Sequence, residues 1–242
     1  EAVENITGAA AFYCCQIEDV KSSYDFITML HSLEHIIDPV AYLKSVREKL
    51  LPDGMLLIQV PEYLQNPFEL MIADHCSHFS IDSLKKVVTR AGFKVLLESN
   101  SLIPKEITLI LGKDSESTEL PYEALSSATE KVADNARNNL LWLAGLVKKA
   151  EKISDQGPLG VFGTSIAGVW LASELADLVK FFVDEDPARI GTELYGRMVI
   201  HPKELQIDSQ IILGFPYKIA EAIHARMTHY SGCFHLPPEK LF

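Results

Sequence analysis

The sequence predicts an α/β protein of two doubly wound, parallel-sheet units joined by a long helix. Three observations predict it. Short apolar runs alternate with helical stretches from Ala9 to Leu111, the same alternation restarts at Leu159, and one continuous helical stripe lies between them. Strand–helix alternation implies parallel sheets covered on both faces.

Taken in order, Ala9–Cys15 reads as a strand that ends in the polar loop Gln16-Ile17-Glu18-Asp19. Asp25–Leu30 is a second short apolar strand. Pro39 opens a helix in which Leu43, Val46 and Leu50 repeat at helical spacing. Leu51-Pro52-Asp53-Gly54 reads as a turn, with proline setting φ and glycine allowing positive φ. Met55–Val60 is a strand stopped by Pro61. A helix from Asp82 presents Leu84, Val87, Val88 and Ala91 on one face and stops at Gly92. Phe93–Glu98 and Ile107–Leu111 are two further strands.

From Lys113 the chain turns polar (KDSESTE), which reads as a linker. Leu125, Ala128, Val132, Ala136, Leu140, Leu143, Val147 and Ala150 then mark a connecting helix over Tyr122–Ile153. Small residues at many seam positions argue for packing on a domain rather than a coiled coil. The second unit reads as strand Leu159–Phe162, a glycine-bounded turn Gly163–Gly168 and helix Val169–Leu178. Strands Val179–Val183 and Gln210–Leu213 and a last helix Ile219–Met227 follow. The expected domains are 1–115, a connecting helix 116–156, and 157–242.

The chain has 242 residues, 22 Lys+Arg and 33 Asp+Glu, a net charge of −11. That balance disfavours nucleic acid, whose binding runs on phosphate neutralisation, and anionic membrane surfaces. No uncharged run reaches the ~20 apolar residues of a spanning helix, and no secretory signal is read. Cys14, Cys15, Cys76 and Cys233 form no CxxC pair and fit reduced thiols in the cytoplasm.

Residues Tyr24–Glu98, carrying YDFITMLHSLEHIIDPVAYLKSVREKLLPDGMLLIQVPE and DHCSHFSIDSLKKVVTRAGF, resemble class I S-adenosylmethionine-dependent methyltransferases. The resemblance rests on Asp25-Phe26, Leu33-Glu34-His35, Leu51-Pro52-Asp53-Gly54 and Ala91-Gly92-Phe93, which match in type, order and spacing. The later GPLGVFGTSIAG, FFVDEDPARIG and SQIILGFPYKIAEAI are similar to the C-terminal domain of sugar C-methyltransferases. This implies two Rossmann-like units, S-adenosylmethionine as cofactor, and a small-molecule substrate such as a nucleotide-linked sugar. The family's glycine-rich loop and ribose-binding acid are not in the sequence. The first unit is therefore expected to be incomplete at its N-terminus, with more chain upstream of Glu1.

Several residues carry the chemistry the resemblance implies. Gln16, Ile17 and Glu18 follow the expected third strand, where the family contacts adenine; a solvated loop is the alternative. Leu30 and His31 end the next strand, where doubly wound sheets place ligands. His35 matches a family histidine, although Leu-Glu-His is also a helix-start element. Asp74-His75 stands in the loop over the substrate. Carbon methylation needs a base to remove a C–H proton, which suits an imidazole, with Asp74 orienting His75. A loop-fixing role is the alternative for both. Asp74, His75, Cys76 and His78 cannot all converge on one ion within five residues, and no metal site is expected. Gln59, where the family often has Glu, weakens the sugar assignment. Gly163–Gly168 could cradle a substrate diphosphate or be only a tight turn. O- or N-methylation of another metabolite, and a non-catalytic binding module, are the rival functions.

Overall fold

The computed structural model describes residues 9–114 and 123–239, with side chains of the second stretch from residue 132 onward. The chain is a mixed α/β fold divided into two compact units, Glu1–Glu62 with Asp74–Ala124, and Tyr63–Ala73 with Leu125–Phe242.

The first unit holds β1 (Tyr24–Leu30), α1 (Pro39–Glu48), β2 (Leu50–Pro61), α2 (Ile81–Arg90), β3 (Phe93–Ser99) and β4 (Glu106–Lys113). Its four strands run in the order β1-β2-β4-β3. Only β1 and β2 are parallel; β4 is antiparallel to both β2 and β3. This corrects the expected all-parallel sheet. β3 and β4 are joined by too few residues for a crossover, so they close as a hairpin.

Ala9–Cys15 is a second correction. It forms no strand and is exposed, while Ile17–Asp19 makes a single 3-10 turn. The expected turn at Leu51–Gly54 is instead absorbed into β2 as a bulge, where the pairing jumps from Tyr24↔Leu50 to Phe26↔Met55. Gly54 is needed for close approach rather than for positive φ. A Cβ there would stand 2.9 Å from the Tyr24 carbonyl oxygen.

Local signals placed the helices well. α1 starts at Pro39 behind Asp38, whose carboxylate accepts from the Ala41 N–H. α2 carries a Ser80–Ser83 capping box, and Gly92 ends it at φ +83°. Leu43, Val46, Leu84 and Val88 meet Leu56, Ile58, Leu109 and Leu111 of the sheet in one core. Arg47 ties three segments together by donating to the carbonyls of Gly92 and Asp114 from α1.

The second unit comprises α3 (Glu123–Ser154), β5 (Leu159–Phe162), α4 (Ile166–Leu175), β6 (Val179–Val183), β7 (Glu193–Leu194), β8 (Arg197–Ile200), β9 (Gln210–Leu213), α5 (Tyr217–Met227) and β10 (Cys233–His235). Its sheet runs β10-β9-β5-β6-β8-β7, parallel except for β7 against β8. The buried stripe of α3 is Asn139, Trp142, Leu143, Leu146, Ala150 and Ile153. It is rotated from the expected one, leaving Val132 and Leu140 exposed. Phe68 packs edge-on against both Trp142 and Trp170, so residues 63–73 join this unit's core. The linker expected from Lys113 lies, beyond Asp114, outside the described residues.

Gly168 allows α4 to sit against the turn after β5. A Cβ on it would stand 2.1 Å from the Gly163 carbonyl oxygen. Gly168→Ala improves helix propensity by about 1 kcal/mol, yet a net loss of about 1–3 kcal/mol is expected from the forced displacement. Urea unfolding checks this; a gain in stability would show that the contact is not limiting.

Candidate functional site

In the first unit, polar side chains gather at the carboxyl ends of the parallel pair β1 and β2, where open α/β sheets bind ligands. His31 directly follows β1 and its N–H donates to the Gln59 carbonyl. Its φ of +46° lies in the left-handed region, uncommon for a residue other than glycine. A 3-10 turn, Leu33–His35, comes next, anchored by fully buried Leu33. This turn sends Glu34 inward and His35 outward, at 39% side-chain exposure.

The loop that carries Asp74 and His75 is held to this turn by the Ser77 N–H, which donates to the Glu34 carbonyl at 3.1 Å. The rings of His35 and His75 meet edge-on with centroids 4.8 Å apart. His35 Nδ1 lies 3.2 Å from the Asp74 carbonyl oxygen and 3.4 Å from its carboxylate. A carbonyl can only accept, so Nδ1 carries the proton. His31 lies between Glu34 and Glu106, at 3.6 and 3.5 Å. Glu106 reaches the same edge because β4 runs antiparallel to β2 and pairs there with Pro61.

The structure thus brings together His31, His35, Asp74 and His75. Two participants, Glu34 and Glu106, were missed as chemistry by sequence reasoning. Glu34 was seen only as part of a helix-start element, and nothing in the sequence marks Glu106. The carboxylate of Asp74 lies 3.4 Å from His35 Nδ1, where orientation of His75 was expected.

Gln16, Ile17 and Glu18 are not part of this cluster. Lys49 donates to the Glu18 carbonyl, and its own carbonyl accepts from the Tyr24 N–H. That fixes residues 16–18 beside the first residue of β1, whereas Leu30 and His31 stand at its far end. At ~3.3 Å per residue the two ends are ~20 Å apart. Had Ala9–Cys15 paired as a parallel strand beside β1, its carboxyl end would have aligned with Leu30. It does not pair, so the residues that follow it lie elsewhere.

Burial lowers the pKa of His75, an effect the charge of Glu34 opposes, the charge of His35 reinforces and that of Asp74 opposes. The ring is therefore neutral near pH 7. His78 is shifted the same way by burial and by His75. Burial raises Glu106, against the attraction of His31 and Lys105.

These shifts have a stability consequence. A histidine held below 6.5 when folded binds fewer protons than the unfolded chain, so its contribution is complete above 6.5. It is lost as pH falls from 6.5 through the folded value. Glu106 acts oppositely, its contribution being present below 4.5 and lost as pH rises through its folded value. The thermal midpoint is expected to fall between about pH 7 and pH 5, and His75→Gln to make that fall shallower. Equal slopes in the two proteins would remove His75 as a cause.

In the second unit the glycine turn is occupied by its own side chains. The Thr164 hydroxyl donates to Asp184 at 2.7 Å, and Arg189 donates to Thr164 and pairs with Asp184 at 3.7 Å. Burial would raise the pKa of Asp184, but the hydrogen bonds from Thr164 and the Asp186 N–H and the charge of Arg189 outweigh it and lower it. The Gly163 N–H itself donates to the Val183 carbonyl at 2.7 Å. This favours the tight turn over the diphosphate cradle.

Residues 8–98 match the family model of a methyltransferase domain. That segment includes β1, β2 and the His31–His78 cluster. The match implies S-adenosylmethionine as the cofactor of such a domain. The residues assigned to that cofactor do not fit it as a set, since Gln16–Glu18 and Leu30–His31 occupy opposite ends of β1.

Among solved structures, the chain is similar to an S-adenosylmethionine-dependent methyltransferase from Clostridium acetobutylicum, with 13% identity over 43% of this chain and 64% of that one, TM-score 0.36. It is also similar to an S-adenosylmethionine-dependent methyltransferase from Thermotoga maritima (16% identity, 40% and 61% covered, TM-score 0.31). The pyocyanin biosynthetic protein PhzM is a third (14% identity, 41% and 33% covered, TM-score 0.33). The chain spans less than two thirds of the length of each, and with TM-scores below 0.5 these likenesses carry no argument about function. No curated protein matches the sequence. Among the described residues, no helix is long and apolar enough to cross a membrane.

Proposed function

We propose that the chain takes part in S-adenosylmethionine-dependent methyl transfer to a small molecule, with C-methylation of a nucleotide-linked sugar as the specific reaction. The match of residues 8–98 to a methyltransferase domain supports the class of reaction. One observation supports the role of this chain's own residues: a neutral imidazole, His75, beside the carboxyl ends of β1 and β2, grouped with Glu34, His35 and Asp74.

Methylation at carbon requires loss of a C–H proton next to a carbonyl. The neutral His75 ring accepts that proton and becomes an imidazolium. The charges of Glu34 and Asp74 favour the protonated ring and so lower the cost of forming it. His35, fixed by the Asp74 carbonyl, packs edge-on against the His75 ring. Holding the acceptor against this group supplies much of the acceleration. The four cysteines are unpaired, which supports a reducing, cytoplasmic setting.

Calorimetry with S-adenosylhomocysteine tests the cofactor, and transfer of labelled methyl to a panel of nucleotide-linked sugars and other small metabolites tests the acceptor. Binding together with label on a sugar carbon is the expected result. Absence of binding would remove the enzyme reading; label on oxygen or nitrogen would remove the C-methylation.

A further inference from the structure

Glu34 is 1% exposed, and neither of its carboxylate oxygens has a hydrogen-bond partner among the described residues. A carboxylate left so is costly unless a cation compensates it. The His31 ring stands 3.6 Å away, beyond hydrogen-bond reach, and is shared with Glu106. The arrangement therefore has a buried carboxyl group in a cluster that leaves both its oxygens without a hydrogen bond.

The other members of the cluster offer lone pairs. One donor atom each from Glu34, His35 and His75 lie within 4.8 Å of one another. Ligands bound at about 2.0–2.2 Å to one ion stand ~3–4 Å apart, so small side-chain rotations close the set. His35 is already prepared for this. Its Nδ1–H donates to the Asp74 carbonyl, leaving the lone pair on Nε2, the outer-layer arrangement that orients metal-binding histidines. The His31 ring lies 3.6 Å from Glu34 and 3.5 Å from Glu106.

We infer that Glu34, His35 and His75 bind one divalent first-row transition-metal ion. Two imidazoles and a carboxylate suit zinc, iron or cobalt, whereas magnesium and calcium prefer oxygen alone. His35 is exposed, so the coordination positions on its side remain open to solvent and to an oxygen-bearing ligand. The set was not legible locally, because its members come from two segments 40 residues apart joined by the Ser77–Glu34 backbone bond. The inference rests on this geometry and stands whether or not the chain transfers methyl groups. In the metal-loaded protein the bound nitrogen of His75 has no lone pair for a proton, so the base role belongs to the metal-free form.

The test uses the full chain, stripped with a chelator and titrated separately with Zn²⁺, Co²⁺ and Mn²⁺. Retained metal is measured by mass spectrometry after gel filtration, and Co²⁺ also by its visible absorption. One retained equivalent is expected, with visible Co²⁺ bands. Affinity is expected to fall about tenfold or more in Glu34→Gln and in His35→Gln. Circular dichroism of the stripped variants reports folding. Should Glu34→Gln misfold, the exposed His35→Gln decides. No retained ion from any of the three metals, or unchanged affinity in the folded variants, would overturn the inference. Loss of metal in Cys76→Ser with normal binding in Glu34→Gln would overturn it too. Methyl transfer enters none of these readouts, so its failure and the failure of the metal site are separately visible.

Discussion

Replacing His75 with glutamine is expected to slow methyl transfer ~10²–10⁴-fold, the range set by loss of a positioned general base. Glutamine keeps a polar side chain in the loop between Asp74 and His78 but cannot take up a proton near neutral pH. The loss should fall on kcat, with S-adenosylhomocysteine affinity unchanged, because the proton belongs to the acceptor. The pH profile gives a second signature. Burial holds the His75 pKa below 6.5, so the acidic limb of the wild-type profile is expected below that value, with a plateau above it. The variant should lose that limb. A loss smaller than tenfold, or a limb that survives the substitution, would assign the proton transfer to another group.

Phe182→Ala is expected to cost about 3–5 kcal/mol, the range for removing a buried aromatic side chain. Phe182 is fully buried on β6, opposite Val161 of β5 and Val199 of β8. It lies in a core with Leu143, Leu146, Leu171 and Ile212. Strands on both sides fix the backbone, so the cavity cannot collapse easily. Ile207→Ala is the matched comparison, since Ile207 is 90% exposed and its truncation should fall within about 0.5 kcal/mol of wild type. Denaturant midpoints at constant slope measure both. Similar losses in the two variants would mean that burial of Phe182 is not what stabilises the second unit.

Most elements were legible because their causes are local. Pro39 behind Asp38, the Ser80–Ser83 box and Gly92 act within one turn of helix, and the sequence displays them side by side. The β7–β8 hairpin at Glu193–Ile200 and the short β10 were not foreseen, because two- to four-residue strands carry too little periodicity. The stripe of α3 was misjudged by about one position. Asn139 is buried there because its amide donates to the Tyr63 carbonyl, a partner that apolar periodicity cannot reveal.

For the site, sequence alone picked out His31 at a strand end, His35 in a helix-start element and Asp74-His75 in a loop as candidate groups. It also determined that the chain is acidic and α/β in class. Tertiary structure decided the rest. It grouped Glu34, His35 and His75, added Glu106 through an antiparallel hairpin, and carried Gln16–Glu18 to the opposite end of β1. The physical reason is that a residue's chemistry and helix-forming signals reside in its own neighbourhood along the chain. Strand direction and pairing are settled by which distant edge a segment meets, and a one-strand difference moves a side chain by the whole length of the sheet.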